Sequence, residues 1–185
     1  MSSPATQSAP LVRPGRWIAD GAACTVTFAV RNFGIRTVTG QLPVTSADVT
    51  IDGHSQPARI RANLDVRGIE TGHRRRDADL RGPRFFDTDR WPSISFEATG
   101  IRPVGTGWTV DGKLTVKDIT SPVRLEVSEV RPTSPDPASP VSLRATGSVD
   151  RRTAGITGGP GFLIGHAISL WMAAEFSPAS RPSTC

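Results

Sequence analysis

Apolar and polar residues alternate with a period of two along most of the chain. The pattern is clearest in residues 58–66. One face of this run carries the apolar side chains of Ile60, Ala62, Leu64 and Val66. Such alternation is typical of antiparallel β-strands that have one covered face and one face in water.

The same alternation recurs along the chain in residues 24–30, 38–44, 47–51, 93–98, 108–116, 123–130, 141–149 and 166–176. Pro43 indicates a bulge or a sheet edge in its run. Asp111-Gly112 is compatible with a hairpin turn or with one bulged strand. About eight or nine strands of similar length predict an all-β fold, either an antiparallel barrel or a sandwich.

The connecting segments contain a single candidate helix, at residues 71–82, with Thr71 as its N-cap and Gly82 as its stop. Residues 132–140 are rich in proline and predict an exposed hairpin loop. The glycine-rich residues 155–161 lack the Lys-Ser/Thr ending of a phosphate-binding loop, so we interpret them as a flexible connector.

Composition agrees with one domain rich in turns. The 185 residues include 18 glycines and 16 prolines, and 37% of them are hydrophobic. No apolar run approaches the roughly 18 residues of a membrane helix, and the first residues lack a secretory signal pattern. We expect a disordered leader at residues 1–15, a barrel domain at 16–177 and a disordered tail at 178–185.

Charge and cysteine content limit the binding partners and the cellular compartment that we expect for this chain. The net charge is +5, but the densest basic segment, residues 74–90, is interleaved with aspartates. We therefore expect a mixed surface or a local phosphate clamp, and no specific nucleic-acid partner. Cys24 and Cys185 are interpreted as free thiols in a reducing compartment, which favours the cytoplasm.

No motif points to catalysis or to a metal. The three histidines lack zinc-ligand spacing, and no Gly-x-Ser-x-Gly element is present. The aspartate pairs Asp77/Asp79 and Asp87/Asp89 are flanked by arginines and are interpreted as neutralised surface charge. We predict no catalytic residue, no metal ligand and no cofactor.

Phe85 and Phe86 are adjacent aromatics that follow a Gly-Pro turn. Neighbours in an extended chain point to opposite sides. We therefore expect one ring to fill the interior and the other to face a lid or a partner.

Several ordered motifs resemble the YceI-like family of small lipocalin-like barrels, which is associated with polyisoprenoid or other long-chain lipid binding. The matching segments are residues 17–20, 26–31, 34–40, 71–81, 85–87, 91–96, 112–123, 150–151 and 155–156. The resemblance implies an up-and-down antiparallel barrel of about eight strands with one short helix. The chain departs from the family pattern at Ala23 and Cys24, which replace a His-Ser pair. Asn32 and Asp79 stand where histidines are common, and Ala154 stands where a phenylalanine is usual.

The leading hypothesis is non-enzymatic binding, transport or sequestration of a long apolar small molecule, such as an isoprenoid or a quinone, inside the barrel. Arg76, Arg81 and Asn32 are placed at the mouth, one ring of the Phe85-Phe86 pair is placed inside, and the other strand residues are placed on the inner face. The candidate ligand-binding residues are Val26, Phe28, Val30, Asn32, Leu64, Arg76, Arg81, Phe85, Phe86, Ile94, Phe96, Leu114, Leu125, Leu170 and Met172.

Two alternatives remain open. The chain could be an enzyme or tailoring subunit acting on a lipid-like substrate in a repurposed barrel, because fold does not fix function. It could also be a packed barrel without a ligand, acting through protein contacts or as a homodimer. Crowding of Phe28, Phe96, Trp91 and Met172 would fill the interior in that case.

Overall fold

The computed structural model describes residues 12–32, 35–159 and 164–179. The strands are β1 (Gly15–Ala19), β2 (Cys24–Asn32), β3 (Arg36–Ile51), β4 (Pro57–Asp65), β5 (Ser93–Val104), β6 (Gly107–Val116), β7 (Ile119–Pro132), β8 (Val141–Asp150) and β9 (Ile164–Pro178). One α-helix, α1, spans Arg74–Arg81, and short 3₁₀ turns lie at Gly21–Ala23 and Val66–Gly68.

Strands β2 to β9 form a closed antiparallel barrel of eight strands. Each strand pairs with the next in sequence, and β9 pairs with β2 to complete the ring. Strand β1 pairs with β3 at residues 47–51 and with the end of β9, so it lies between these two strands on the same side of β3 as β2. The predicted up-and-down barrel with one short helix is therefore confirmed, and β1 is an additional ninth strand.

Two predicted strands are one in the structure. Residues 38–44 and 47–51 belong to the single strand β3, whose pairing with β4 shifts register between Val44 and Ser46. Pro43 stays within β3 opposite Thr25, so it does not end the strand. Residues 108–116 lie within the single strand β6, and the register shift opposite Asp111-Gly112 occurs in β5, between Ala98 and Gly100.

The helix begins later than the sequence predicts. His73 is the N-cap of α1, and its Nδ1 accepts a hydrogen bond from the Arg76 N–H at 3.3 Å. Thr71 was the predicted cap, but its hydroxyl instead contacts the side chains of Asp77 and Arg76. Gly82 follows the helix as its C-cap, as expected.

The described strands begin and end close to the limits of the predicted domain, residues 16–177. Val12 is buried in the core, Gly15 begins β1, and β9 ends at Pro178. Residues 1–11 of the predicted leader and residues 180–185 of the predicted tail lie outside the described residues. The loop at 133–140 joins β7 to β8, which confirms the predicted hairpin loop. The glycine-rich segment joins β8 to β9, although its residues 160–161 are outside the described part.

One end of the barrel, here called the capped end, is covered by residues 66–92. This segment leaves β4 and enters β5 at that end, and Gln41 and Glu70 exchange two backbone hydrogen bonds across it. Ile69 is only 1% exposed, and Phe86 is buried in the same core. Residues 151–159 follow β8 at the same end, where Gly158 packs against the Arg84 backbone and the Phe85 ring.

Candidate functional site

The barrel encloses a cavity of about 400 Å³. Every one of the eight ring strands contributes apolar side chains to its wall. Polar side chains are few in the lining, and several of them come from the capped end: Asn32, Arg76, Asp79 and Arg151. The volume falls in the range of roughly 300–1,000 Å³ that is usual for small-molecule sites. The wall can therefore desolvate an apolar ligand and offers polar contacts mainly at one end.

Most of the sequence-predicted site residues line this cavity. They are Val26, Phe28, Val30, Asn32, Leu64, Arg76, Phe85, Phe86, Ile94, Phe96, Leu114, Leu125, Leu170 and Met172. Period-two alternation places the strand residues of this set on the inner face. That these side chains contact a ligand stays a prediction.

Arg81 does not line the cavity. Its Nε donates to the Arg67 carbonyl at 2.7 Å, and its Nη2 donates to the Ile69 carbonyl at 2.8 Å. The guanidinium therefore fastens α1 to the 3₁₀ turn at Val66–Gly68. The expectation that Arg81 lines the mouth of the barrel is wrong, because the side chain is not part of the lining and two of its five donors bond these backbone carbonyls.

Large inner side chains lie over glycines of neighbouring strands. The Phe28 ring covers Gly40, and the Phe96 ring covers Gly112, in each case so closely that a Cβ on the glycine would overlap the ring. An absent side chain lets an aromatic ring lie flat against the wall. Two of the largest inner residues therefore lie against glycines of the wall and border the cavity of about 400 Å³. This geometry contradicts the filled interior required by the packed-barrel alternative, and Trp91, one of its four residues, is not part of the lining.

Phe85 and Phe86 both line the cavity, which contradicts the expectation of opposite orientations. That expectation assumed an extended chain, whereas residues 83–86 form a turn after α1. The Phe86 N–H donates to the Leu80 carbonyl at 3.0 Å, and the Phe85 N–H donates to the Gly82 carbonyl at 3.0 Å. The turn directs both rings toward the barrel.

The aspartates of α1 have different environments. Asp77 is buried and accepts hydrogen bonds from the Thr71 N–H, at 3.0 Å, and from the Thr71 hydroxyl. The interpretation of Asp77 as surface charge is therefore wrong. Asp79 is exposed and borders the cavity. Arg76 donates to the hydroxyl and the carbonyl oxygen of Thr71 at 2.7 and 2.9 Å, so part of its donor capacity is already used.

Arg151 is a lining residue that the sequence analysis did not assign to the site. Its side chain is buried, with 4% of the residue exposed. The guanidinium donates to the carbonyls of Ile156 and Gly158, each at 2.9 Å, and of Gly165 at 3.1 Å. These acceptors come from the segment after β8 and from the start of β9. The available sequence signal was only the match of residues 150–151 to a family motif.

Cys24 also lines the cavity, at the start of β2. Burial raises the pKa of the Cys24 thiol, and the nearby Asp20 charge raises it further. The thiol is therefore mostly protonated and behaves as a small apolar group at neutral pH.

The described residues offer neither a metal site nor a membrane-spanning helix. Within residues 12–32, 35–159 and 164–179, no group of three or more His, Cys, Asp or Glu side chains is arranged to hold a metal ion. Helix α1, the single α-helix in the described part, is too short and polar to cross a bilayer.

Comparison with protein families gives one match that spans most of the chain. The model of the YceI-like domain matches residues 17–176. A UPF0312 protein of Yersinia pestis is 28% identical over 108 residues, which are 58% of this chain and 56% of that protein. A UPF0312 protein of Shewanella oneidensis is 27% identical over 60% of this chain and 59% of its own length. The alignments thus span little more than half of these curated relatives.

Solved structures share the architecture at low identity. BcnA of Burkholderia cenocepacia superposes with a TM-score of 0.73 and 19% identity, covering 86% of this chain and 99% of that chain. A Campylobacter jejuni YCEI protein gives a TM-score of 0.69 at 17% identity, over 79% and 88% of the two chains. A polyisoprenoid binding domain from Saccharophagus degradans gives 0.67 at 11% identity, over 90% and 100%. These likenesses establish the fold.

Proposed function

The chain belongs to the YceI-like domain family, and from this premise we propose that its barrel binds one long apolar molecule without transforming it. The ligand class is an isoprenoid or a similar long-chain lipid, such as a quinone with a prenyl tail. Transport or sequestration of that molecule is the proposed role, in the cytoplasm.

The apolar cavity is the observation that carries this proposal. Its wall is built from the inner faces of all eight ring strands, and the glycines under Phe28 and Phe96 keep it open. An apolar cavity of this kind is unfavourable to fill with water because it offers few hydrogen-bond partners. The structural likeness to a polyisoprenoid binding domain supports the same ligand class.

The energetics favour a ligand that fills the length of the barrel. Burial of apolar surface contributes about 25 cal/mol per Å², while association costs at least about 4 kcal/mol. For a short ligand, the free energy gained from apolar burial is little more than the cost of association. A chain that contacts most of the wall buries enough surface for micromolar binding.

Adjacent alanines on β9 provide a matched test of binding inside the barrel. Ala174 lines the cavity, whereas Ala173, the preceding residue, is exposed on the outer face. We expect Ala174→Phe to reduce the affinity of delipidated protein for a fluorescent prenyl probe at least tenfold, because the ring occupies the space of the ligand. Ala173→Phe should leave the affinity unchanged.

Thermal unfolding of both variants controls for misfolding, and mass spectrometry of lipid that copurifies with the wild type identifies the natural ligand. Equal affinities of two folded variants would place binding elsewhere and overturn the proposal. A wild-type protein that carries no lipid and binds neither prenyl nor acyl probes would overturn it as well.

A further inference from the structure

Two polar side chains lie next to each other in the cavity wall at the capped end. Asn32 is the last residue of β2, and its pairing partner on β9 is Ile164. The Arg151 guanidinium donates to the carbonyls of Ile164 and Gly165, at 3.4 and 3.1 Å. Paired residues of antiparallel strands have Cα atoms about 4.5–5.5 Å apart. Both side chains therefore meet the cavity beside the start of β9 and form what we call the polar foot.

Asn32 contributes an unpaired acceptor to the polar foot. Its Oδ1 is buried, and it has no hydrogen-bond partner within the described part of the chain. Buried polar atoms are almost always paired in folded proteins, because an unpaired one loses its hydration without compensation. An unpaired oxygen in the wall of a ligand cavity indicates that the ligand supplies a donor.

Arg151 contributes a donor. A guanidinium has five N–H groups and no acceptor. Backbone carbonyls accept four hydrogen bonds from Arg151, one of them long, at 3.4 Å. None of the ion pairs among the described residues includes this buried cation. Among the described residues, these acceptors leave at least one N–H of Arg151 for an acceptor on a ligand.

We propose that the polar foot binds the hydroxyl end of an uncharged long-chain alcohol, a specification that rests on the proposed function. A hydroxyl group both donates and accepts. It can donate to Asn32 Oδ1 and accept from Arg151 at the same time. A ketone or an ether only accepts, so it would leave the Asn32 oxygen unpaired.

A diphosphate is a poorer match to the polar foot. Its ionised oxygens only accept hydrogen bonds and would face the Asn32 oxygen without a proton between them. The Arg151 charge is largely engaged by carbonyls, and Arg76 already donates to Thr71.

Three ligands with the same carbon skeleton test the inference: farnesol, farnesane and farnesyl diphosphate. Their affinities for delipidated protein are measured by displacement of a fluorescent apolar probe. We expect the wild type to bind farnesol about five- to tenfold more tightly than farnesane, the effect of one or two net hydrogen bonds. Farnesyl diphosphate should bind no more tightly than farnesol.

Asn32→Leu should bring the ratio of farnesol affinity to farnesane affinity close to one, while the affinity for farnesane itself is retained. The matched control is Asn63→Leu, because Asn63 is exposed on β4 and bonds Ser46 instead of facing the cavity. The Asn63→Leu variant should keep the wild-type preference for farnesol over farnesane.

The results separate this inference from the proposed function. If farnesane binds but farnesol has no advantage, or if Asn32→Leu keeps the advantage, the hydroxyl assignment is overturned while apolar binding stands. Tighter binding of farnesyl diphosphate than of farnesol also overturns it. If neither the probe nor any of the three ligands binds, the proposed function fails together with the inference.

Discussion

Single side chains determine the polarity of the cavity at each end. Arg151 places a buried cation at the capped end, and carbonyl oxygens from the backbone surround it. Cys24 places a thiol in the wall near the opposite end, where β2 begins. Because this thiol borders the proposed ligand site, its reactivity reports on the surroundings of the cavity.

The Cys24 thiol should be slow to alkylate at neutral pH. Burial and the Asp20 charge raise its pKa, so the reactive thiolate forms only at higher pH than in a free cysteine. We expect the rate of reaction with iodoacetamide, measured by mass spectrometry in a Cys185→Ser background, to reach half its maximum at a higher pH than for glutathione.

Asp20→Asn removes the Asp20 charge, which is the smaller of the two causes that raise the Cys24 pKa. The amide oxygen can still accept from the Ala22 and Ala23 N–H groups, which Asp20 caps in the structure. The variant should therefore shift the pH midpoint of alkylation downward without unfolding the turn. A wild-type midpoint at or below that of glutathione would contradict the effect of burial.

At the scale of elements, contacts between neighbouring strands set the width of the cavity. Gly40 on β3 lies opposite Phe28 on β2, and a Cβ there would also approach the Glu70 carbonyl of the cap. The same glycine thus accommodates an aromatic ring on one strand and the segment that covers the barrel end.

Gly40→Ala should reduce both stability and ligand binding. The added methyl overlaps the Phe28 ring and the Glu70 carbonyl, and overpacking of this kind costs about 1–3 kcal/mol. If the ring moves into the cavity, probe affinity falls as well. Urea unfolding and probe titration measure the two effects.

Gly53→Ala is the control, because a Cβ at Gly53 has no neighbour within 4 Å. This variant should change neither the free energy of unfolding nor the probe affinity measurably. Unchanged stability and affinity in Gly40→Ala would show that the Phe28 ring is not held by the glycine.

The sequence predicts strands better than it predicts the cap. Alternation identifies the inner face of β2, β4 and β5 because burial imposes a period of two on every ring strand. No such period exists in residues 66–92, where hydrogen bonds to the backbone determine the orientation of Arg81 and the turn at Phe85. Arg151 was missed for the same reason, since its carbonyl partners come together only when the segment after β8 folds back.

The whole molecule carries a set of surface carboxylates, most of them half-buried, with lowered pKa values. They are Asp52, Asp65, Glu97, Asp111 and Asp150. For Asp65, Glu97, Asp111 and Asp150, the main cause is a hydrogen bond from an arginine side chain; for Asp52, it is the backbone N–H of Gln56. Hydrogen bonds from Arg152 lower the pKa of Asp150 to about 2.

These shifts predict that stability falls in acid. A carboxylate whose pKa is lower in the folded state stabilises the fold fully above its unfolded pKa, about 4. That contribution is lost as the pH falls through the folded pKa values, near 2 for Asp150. The free energy of unfolding, measured with urea, should therefore decline from about pH 4 to pH 2.

Arg152→Gln tests one member of this set. Without the guanidinium, the Asp150 pKa should rise toward its ordinary value, which NMR titration can follow directly. The stability difference between wild type and variant should be largest at neutral pH and shrink toward pH 2. A difference that stays constant with pH would contradict the assigned cause. Cytoplasmic location and homodimer formation stay predictions at this scale.

The order of the strands in the ring has a consequence for how the chain folds. Seven of the eight neighbouring pairs in the ring join consecutive strands, so local hairpins can form them one after another. The remaining pair, β2 with β9, brings together strands that are distant in sequence, and the entropy of closing that loop makes it the most demanding step. Strand β1 pairs with both β3 and β9, so it joins the same two strands beyond the start of β2. We therefore expect the ring around the cavity to close late, when β2 and β9 finally pair.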